Sequence, residues 1–287
     1  DTMADANNLD TYVGYYTDVK GNLLTPLGLT TTVFGNAEQV GSSDGDTTIY
    51  LLGSIHLLPP NINWRTPLID RAIATSDTLV LESSPDESVD FQAAARGVNL
   101  KPARDRVSPG KRPILEAMIE RAGIARETLD GYKDWALATT LATGDAIAAG
   151  ATAGDSVEAK LWSEFKSGGK TRLAFYRAKE QLDQLDTLPE TDQRKMLENT
   201  LSGKENYGET FRAWMNGDIA SLEKTAECTP LEGKLVGQPN NHWAQWITAR
   251  MKKPGTVLVA VGLGHMAGPY ALPKLLAARG LKVERIE

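Results

Sequence analysis

Cysteine and long apolar runs are both scarce in this sequence of 287 residues. The single cysteine, Cys228, can form neither an internal disulfide nor a cysteine-based zinc site, and we interpret it as a small residue near a loop. The longest apolar run, at residues 257–261, has the length of a strand, whereas a membrane helix needs about 20 apolar residues. We therefore expect no membrane span.

Positive charge is also in deficit. The chain has 31 Lys and Arg against 37 Asp and Glu, a formal net charge of −6, and no block rich in Lys or Arg. Because phosphate neutralisation needs a concentrated cationic surface, the sequence predicts no nucleic-acid binding. The first residues, DTMAD, show neither the charged nor the apolar segment of a signal peptide.

The remaining composition is that of a globular protein, with 41% hydrophobic and 24% charged residues. Residues 1–28 are polar and contain several glycines, which predicts an N-terminal arm. Two β-type runs, at residues 29–40 and 47–56, flank the sequence GSSDGD, which predicts a β-hairpin. We expect residues 29–287 to form one domain.

Apolar periodicity predicts the other elements of that domain. A helix at residues 64–76 lies between the strand that ends at residue 56 and a strand at 78–82, which is a βαβ pattern. The middle, about residues 86–224, is mainly helical, with a short strand at 172–176. The predicted elements after it are a helix at 240–252, a strand at 256–261, a helix at 269–279 and an edge strand at 281–286. The fold class is therefore α/β, with a central mixed, partly parallel sheet from the N- and C-terminal parts and a large helical insert.

Two of the three histidines end the same phrase, Gly-x-x-His, each after a strand-like run. The phrases are GSIH, which ends at His56, and GLGH, which ends at His265. Glu82 closes the strand between them, TLVLE. Since the carboxyl ends of parallel strands face one crevice, we expect these three side chains to lie on one rim. The glycines permit a tight turn and a close approach of other groups.

Two imidazoles and a carboxylate form a common catalytic set for a divalent metal with open positions for water. A metal stabilises hydroxide, so bound water becomes a nucleophile near neutral pH. The same trio works without metal if one histidine is a general base that Glu82 orients. A single strand-end histidine is more often structural, and such a glutamate is often merely solvated. The coincidence of all three favours a site.

Other sequence motifs give weaker support for a functional site. The sequence GLGHMAG at residues 262–268 is not a dinucleotide fingerprint, and neither a GxSxG elbow nor a P-loop occurs. Ser54 would point to the same face as His56, but backbones two residues apart lie about 6.6 Å from each other, which argues against a direct dyad. His242 is interpreted as structural or at the surface. It lies beside the apolar stripe of the same predicted helix, which includes Trp243 and which we assign to the core.

Several stretches of the chain resemble the TraB/PrgY/GumN family. They are YLLGSIH at residues 50–56, TLVLE at 78–82, VAVGLGHMAG at 259–268, LKVER at 281–285, and, in the middle, KDW at 133–135, AKEQLDQLDTL at 178–188 and WMNGD at 214–218. The resemblance extends from about residue 30 to the C-terminus. The animal relatives of that family are the Tiki-type metalloproteases, and the wider group resembles erythromycin esterase and ChaN-like proteins.

The resemblance implies an erythromycin esterase/ChaN-like α/β fold with an active site at His56, Glu82 and His265. All three are carried over as catalytic residues and metal ligands, for a divalent metal that is manganese or cobalt in preference to zinc. Asn240, Gly53 and Gly262 are secondary candidates. The resemblance also implies a periplasmic or extracellular location.

The chain departs from the family pattern at two positions. Tyr176 stands where the family usually has an acidic residue, a few positions before a Glu-Gln pair. The Arg-Asn pair of the family reads Pro239-Asn240 here, so only the asparagine is retained. Both departures are expected to alter how a substrate is handled or to weaken activity.

Three hypotheses for function follow. The first is a metal-dependent, peptidase-like hydrolase that activates water at the His/Glu/His site and acts on a peptide or small molecule. The second is a non-catalytic protein that binds a metal, haem or a peptide at the same rim. The third is a metal-free, esterase-like hydrolase with His56 as base. Self-association into a homo-oligomer is left open.

Overall fold

The computed structural model describes residues 30–33, 47–203 and 207–285. The predicted N-terminal arm at residues 1–28 and the predicted turn at 41–46 lie outside these ranges. Within them, the chain forms one twisted sheet with helices packed on it. The predicted α/β fold is confirmed.

The described strands form a six-stranded sheet in the order β4-β3-β5-β2-β1-β6. Their bounds are β1 Thr30–Val33, β2 Thr47–Ser54, β3 Thr78–Ser83, β4 Thr171–Tyr176, β5 Gly255–Gly262 and β6 Glu284–Arg285. Strands β4, β3, β5 and β2 are parallel, while β1 runs antiparallel to both β2 and β6. The sheet is therefore mixed and mainly parallel, and β6 is the predicted edge strand.

The α-helices lie before, between and after these strands. Their bounds are α1 Pro67–Thr75, α2 Phe91–Ala95, α3 Ala103–Arg106, α4 Arg112–Ala122, α5 Arg126–Asp130, α6 Asp134–Ala148, α7 Val157–Ser167, α8 Ala178–Asp186, α9 Glu190–Thr200, α10 Tyr207–Met215, α11 Ile219–Thr225, α12 Pro230–Glu232, α13 Gln238–Arg250 and α14 Leu272–Ala278. The middle is mainly helical as predicted, and β4 within it forms one edge of the sheet, so the sheet is not built from the terminal parts alone.

The central strand β5 explains the layered core. Its sequence GTVLVAVG has buried side chains on both faces, as is typical of a parallel strand covered by helices on both sides. On one face, α7 and α10 contribute Phe165 and Trp214 to the core; on the other, α13 contributes Trp243 and Ile247. Trp243 is fully buried, which confirms its assignment to the core.

The register of the parallel strands aligns their carboxyl ends. Ser54, the last residue of β2, pairs with Gly262, the last residue of β5. On the other side of β5, Leu81 of β3 pairs with Ala260, so Glu82 lies one residue further along. The chain therefore leaves β2, β3 and β5 at the same edge of the sheet.

A π-helical turn precedes the long helix α13. Residues Gly233–Gly237 form this wide turn between α12 and α13, and the N–H of Gln238 donates to the carbonyl of Gly233. Pro239 follows directly and has no N–H to donate. Such turns occur often at functional sites, and this one lies beside the cleft described below. In the part of the chain that is described, we find no helix long and apolar enough to cross a membrane.

Candidate functional site

Three adjacent strands place the predicted site residues on one rim. Glu82 is the last but one residue of β3, His56 follows β2 by two residues, and His265 ends a short 3-10 helix, Leu263–His265, after β5. Because β3, β5 and β2 are neighbours and parallel, their carboxyl ends meet, as the sequence predicts. Nε2 of His265 lies 3.9 Å from Oε2 of Glu82.

Gly262 lies between His56 and Glu82. A Cβ atom at this position would be 3.0 Å from Nε2 of His56 and 3.4 Å from Oε2 of Glu82. The lack of a side chain thus leaves room for both groups at the end of β5. Gly53 has a different function: a Cβ there would lie 3.1 Å from side-chain atoms of Leu263 and Met266, so this glycine permits close packing of the turn that carries His265.

Asn240 determines how His265 is oriented. Its Nδ2 donates to the carbonyl oxygens of His265 and Tyr270, at 3.0 and 2.7 Å, so Oδ1 must face the ring. Oδ1 lies 2.8 Å from Nδ1 of His265 and accepts a hydrogen bond from the Nδ1–H group. The proton on Nδ1 leaves a lone pair on Nε2, directed to the Glu82 side. Asn240, a secondary candidate from the resemblance, is fully buried and bonds to both the backbone and the ring of His265.

His56 is held in the same way by a residue that the sequence analysis missed. Nδ1 of His56 lies 2.8 Å from Oε1 of Glu158, on helix α7. The same oxygen accepts a hydrogen bond of 2.5 Å from the Ser54 hydroxyl. Ser54 therefore bonds to Glu158, which agrees with the prediction that it forms no direct dyad with His56. Both histidines thus have Nδ1 bound by the protein and Nε2 on the Glu82 side.

Glu82 is buried and held by two donors. The Gly262 N–H donates to its Oε2 at 3.1 Å, and Nε2 of Gln181 donates to its Oε1 at 2.5 Å. Gln181 belongs to the Glu-Gln pair noted in the sequence, but it is absent from the predicted site. These two bonds fix the carboxylate plane toward the histidines.

The pKa values of the charged pair shift in opposite directions. The negative charge of Glu158 raises the pKa of His56 to about 9. Burial alone would raise the pKa of Glu158, but the charge of His56 and the hydrogen bonds from His56 and Ser54 prevail and lower it to about 2. The His56 side chain is 60% exposed, so solvent screens part of this attraction. Burial lowers the pKa of His265 and favours its neutral form.

A cleft of about 820 Å³ opens beside the rim. Glu82 and His265 form part of its lining, as do both departures from the family pattern, Tyr176 and Pro239. His242, predicted to be structural or at the surface, is exposed here and stacks on Tyr176 with ring centroids 6.2 Å apart. The site therefore adjoins a space large enough for a ligand.

The fold and rim define an α/β protein with a His/Glu/His cluster at the carboxyl edge of a parallel sheet. The model of the TraB/PrgY/gumN family matches residues 42–285, and the chain belongs to this family. It is 23% identical over 239 residues to the uncharacterized protein YbaP of Escherichia coli (strain K12), which covers 81% of this chain and 89% of YbaP. YbaP of Shigella flexneri matches with the same identity and coverage. No solved structure matches the chain.

The donor chemistry of the rim fits a divalent cation. Nε2 of His56 and Oε2 of Glu82 lie on the open side of Gly262, and Nε2 of His265 lies 3.9 Å from the same Glu82 oxygen. Each imidazole has its Nδ1 held by an acceptor, the usual arrangement around metal-bound histidines. Among the described residues, no three His, Cys, Asp or Glu side chains lie close enough together to hold a metal as placed. The set of ligands is thus suitable in type and orientation, but it is more widely spaced than a metal site.

The Glu158–His56 pair gives a pH prediction for the metal-free protein. Glu158 has a pKa of about 2 when folded against an ordinary 4.5, so its contribution is present above pH 4.5 and is lost as pH falls towards 2. His56 has a pKa of about 9 against 6.5, so its contribution is present below pH 6.5 and is lost as pH rises through 9. Stabilisation by the pair is therefore greatest between pH 4.5 and 6.5.

We expect Glu158→Gln to lower the free energy of unfolding by roughly 1–2 kcal/mol in that window, after allowance for the exposure of His56. The difference from wild type should shrink towards both pH extremes. Denaturant titrations of the two proteins across pH measure it. A difference that stays constant over the whole range would contradict the ion pair.

Proposed function

We propose that this protein is a metal-dependent hydrolase that acts on peptides. The observation that carries the proposal is the common orientation of two histidines. Asn240 holds Nδ1 of His265 and Glu158 holds Nδ1 of His56, so both Nε2 atoms lie on the side of the Glu82 carboxylate. A purely structural histidine needs no such matched arrangement beside an open cleft.

When a divalent metal is bound, His56, His265 and Glu82 would be its ligands. A divalent metal supplies a Lewis acid that polarises a substrate carbonyl and makes water a usable nucleophile near neutral pH. Asn240 and Glu158 each hold an Nδ1 atom and so orient the two Nε2 atoms towards the cation. Glu82 is a ligand or the general base, and the Gln181 and Gly262 N–H groups hold it in position for either.

A metal-free hydrolase with His56 as base is the second candidate. The bond from Glu158 to its Nδ1 and the exposure of the ring favour it, because a general base must be oriented and accessible. The raised pKa of His56, about 9, opposes it: without a cation, the ring is protonated and cannot accept a proton at neutral pH. A cation bound at Nε2 of His56 would take the place of the proton there. We therefore favour the metal-dependent hydrolase.

The metal identity and the location rest on family resemblance alone. We propose manganese or cobalt in preference to zinc, and a location in the periplasm or outside the cell.

The experiment compares hydrolysis of a peptide and ester panel by the purified protein with and without chelator, and after addition of Mn²⁺, Co²⁺ or Zn²⁺. We expect chelator to abolish turnover and one of these metals to restore it. The variant that combines His56→Ala with His265→Ala should be inactive and should bind no metal. Glu120→Ala is the control, since Glu120 is exposed on α4 and lies outside the cleft lining.

The outcomes separate the hypotheses. Turnover that resists chelator but is lost in His56→Ala would favour the metal-free base. Bound metal without turnover of any substrate would favour a binding protein. Full activity in the double variant would refute the assignment of the site.

A further inference from the structure

The cleft beside the rim has two apolar walls. Leu185, Leu188 and Pro189 form one of them, at the end of α8 and the start of α9. Leu235, Val236 and Pro239 form the other, at the π-helical turn and the start of α13. Both walls belong to elements outside the central sheet, so the shape of the cleft is set separately from the His/Glu/His rim.

The charged side chains of the cleft already have bonding partners within the protein. Apart from two histidines, the residues with an acidic or basic side chain among the described lining are Glu82 and Lys234. Nζ of Lys234 donates to Oδ2 of Asp192 at 2.5 Å, and both oxygens of Glu82 accept hydrogen bonds. A charged substrate side chain would therefore lose its hydration in the cleft without an unengaged opposite charge to compensate.

Aromatic and amide groups complete the lining. The half-buried ring of Tyr176 and the exposed ring of His242 stack in the lining, whereas Trp243 is fully buried and packs against His265 with ring centroids 4.5 Å apart. The exposed amide of Gln184 also lines the cleft. The accessible rings of Tyr176 and His242 can pack on apolar side chains, and a neutral amide can pair with a peptide N–H or C=O without requiring charge.

We propose that this cleft binds an uncharged, apolar segment of the peptide substrate and presents its backbone to the rim. The inference rests on the proposed function, because it names the substrate class of the same site. The volume of about 820 Å³ lies within the usual range for ligand sites and exceeds the need of a single side chain. The occupant is thus a peptide segment that carries neither acidic nor basic side chains.

The test measures binding apart from catalysis. All peptides are titrated into the His56→Ala variant, which should not hydrolyse them. The change removes a proposed metal ligand but no residue of the cleft lining. Fluorescent peptides with blocked ends would carry Leu and Phe, or the same sequence with Glu or with Lys in the centre. Anisotropy titrations should show the apolar peptide binding at least about 10-fold more tightly than either charged one, a difference of about 1.4 kcal/mol.

A pair of variants locates the binding surface. Val236→Asp places a carboxylate in the apolar wall and should weaken binding of the apolar peptide by at least about 10-fold. Val98→Asp is the control, since Val98 is 86% exposed and lies outside the cleft lining. Thermal unfolding should show that both variants are folded.

Tighter binding of a charged peptide, equal effects of the two Asp variants, or no binding of any peptide would overturn the inference. The two proposals fail separately. Apolar binding in His56→Ala without chelator-sensitive turnover in wild type would refute only the metal-dependent hydrolase. Chelator-sensitive turnover with preference for charged peptides would refute only the apolar cleft.

Discussion

Glu82→Gln is expected to reduce chelator-sensitive hydrolysis by about 10²-fold or more while the protein stays folded. The change removes the negative charge that faces Nε2 of His265 at 3.9 Å and that serves as ligand or base. The fold should tolerate it, because the new amide oxygen can still accept from the Gly262 N–H. The side-chain amide of Gln181 can then rotate to accept from the new NH₂ group.

The measurement is kcat/KM on the best substrate of the panel, together with the midpoint of thermal unfolding. Glu120→Gln is the matched control, because Glu120 is exposed on α4 and makes the same change of charge far from the rim. Activity of Glu82→Gln equal to that of Glu120→Gln would contradict a chemical role for Glu82. A large loss of stability would show that Glu82 is mainly structural.

Gly262→Ala should lower activity and metal affinity by roughly 10–100-fold, because small displacements of catalytic groups are costly. The backbone of Gly262, with φ −51° and ψ 139°, suits alanine, so no backbone strain is expected. The new methyl group would instead lie 3.0 Å from Nε2 of His56 and 3.4 Å from Oε2 of Glu82. The exposed His56 ring would move away, and the rim would lose a donor.

Gly264→Ala provides a control two residues further along. A Cβ at Gly264 meets no atom within 4 Å, so this variant should keep its activity and its affinity for metal. Isothermal titration with Mn²⁺ and kinetic assays on both variants compare them. Equal behaviour of the two alanine variants would contradict the claim that His56 and Glu82 converge on the open side of Gly262.

The rim was predictable because local patterns determine it. Continuous apolar runs mark β2, β3 and β5 as buried parallel strands, and such strands end at a common edge. His56, Glu82 and His265 lie at or just after those ends, so their proximity followed from topology alone. Asn240 came only from resemblance, since no periodicity indicates that a helix residue bonds to His265.

Glu158 and Gln181 were missed for a physical reason. Each meets its partner across about 100 residues of chain, through the packing of α7 on one face of the sheet and of α8 beside β4. One signal for Glu158 was present: it lies on the apolar stripe of α7 with Leu161, Trp162 and Phe165. A carboxylate on a buried face requires a partner, and the nearest candidate in the fold is His56.

The cleft was not predictable either. Its walls come from α8, α9 and the π-helical turn, and sequence patterns do not give the positions of these elements relative to the rim. The wide turn at Gly233–Gly237 has no distinct apolar period, and Pro239 alone does not reveal it. The same limit applies to β4, which was predicted as a short strand without its place at the edge of the sheet.

The most direct test of a metal centre is anomalous diffraction from crystals of the protein grown or soaked with Mn²⁺, with wavelengths on both sides of the metal absorption edge. We expect one strong anomalous peak within coordination distance of Nε2 of His56, Nε2 of His265 and the Glu82 carboxylate, and no such peak in crystals of the His56→Ala, His265→Ala variant. An active protein whose crystals show no peak at this rim, or a peak only elsewhere, would contradict this expectation.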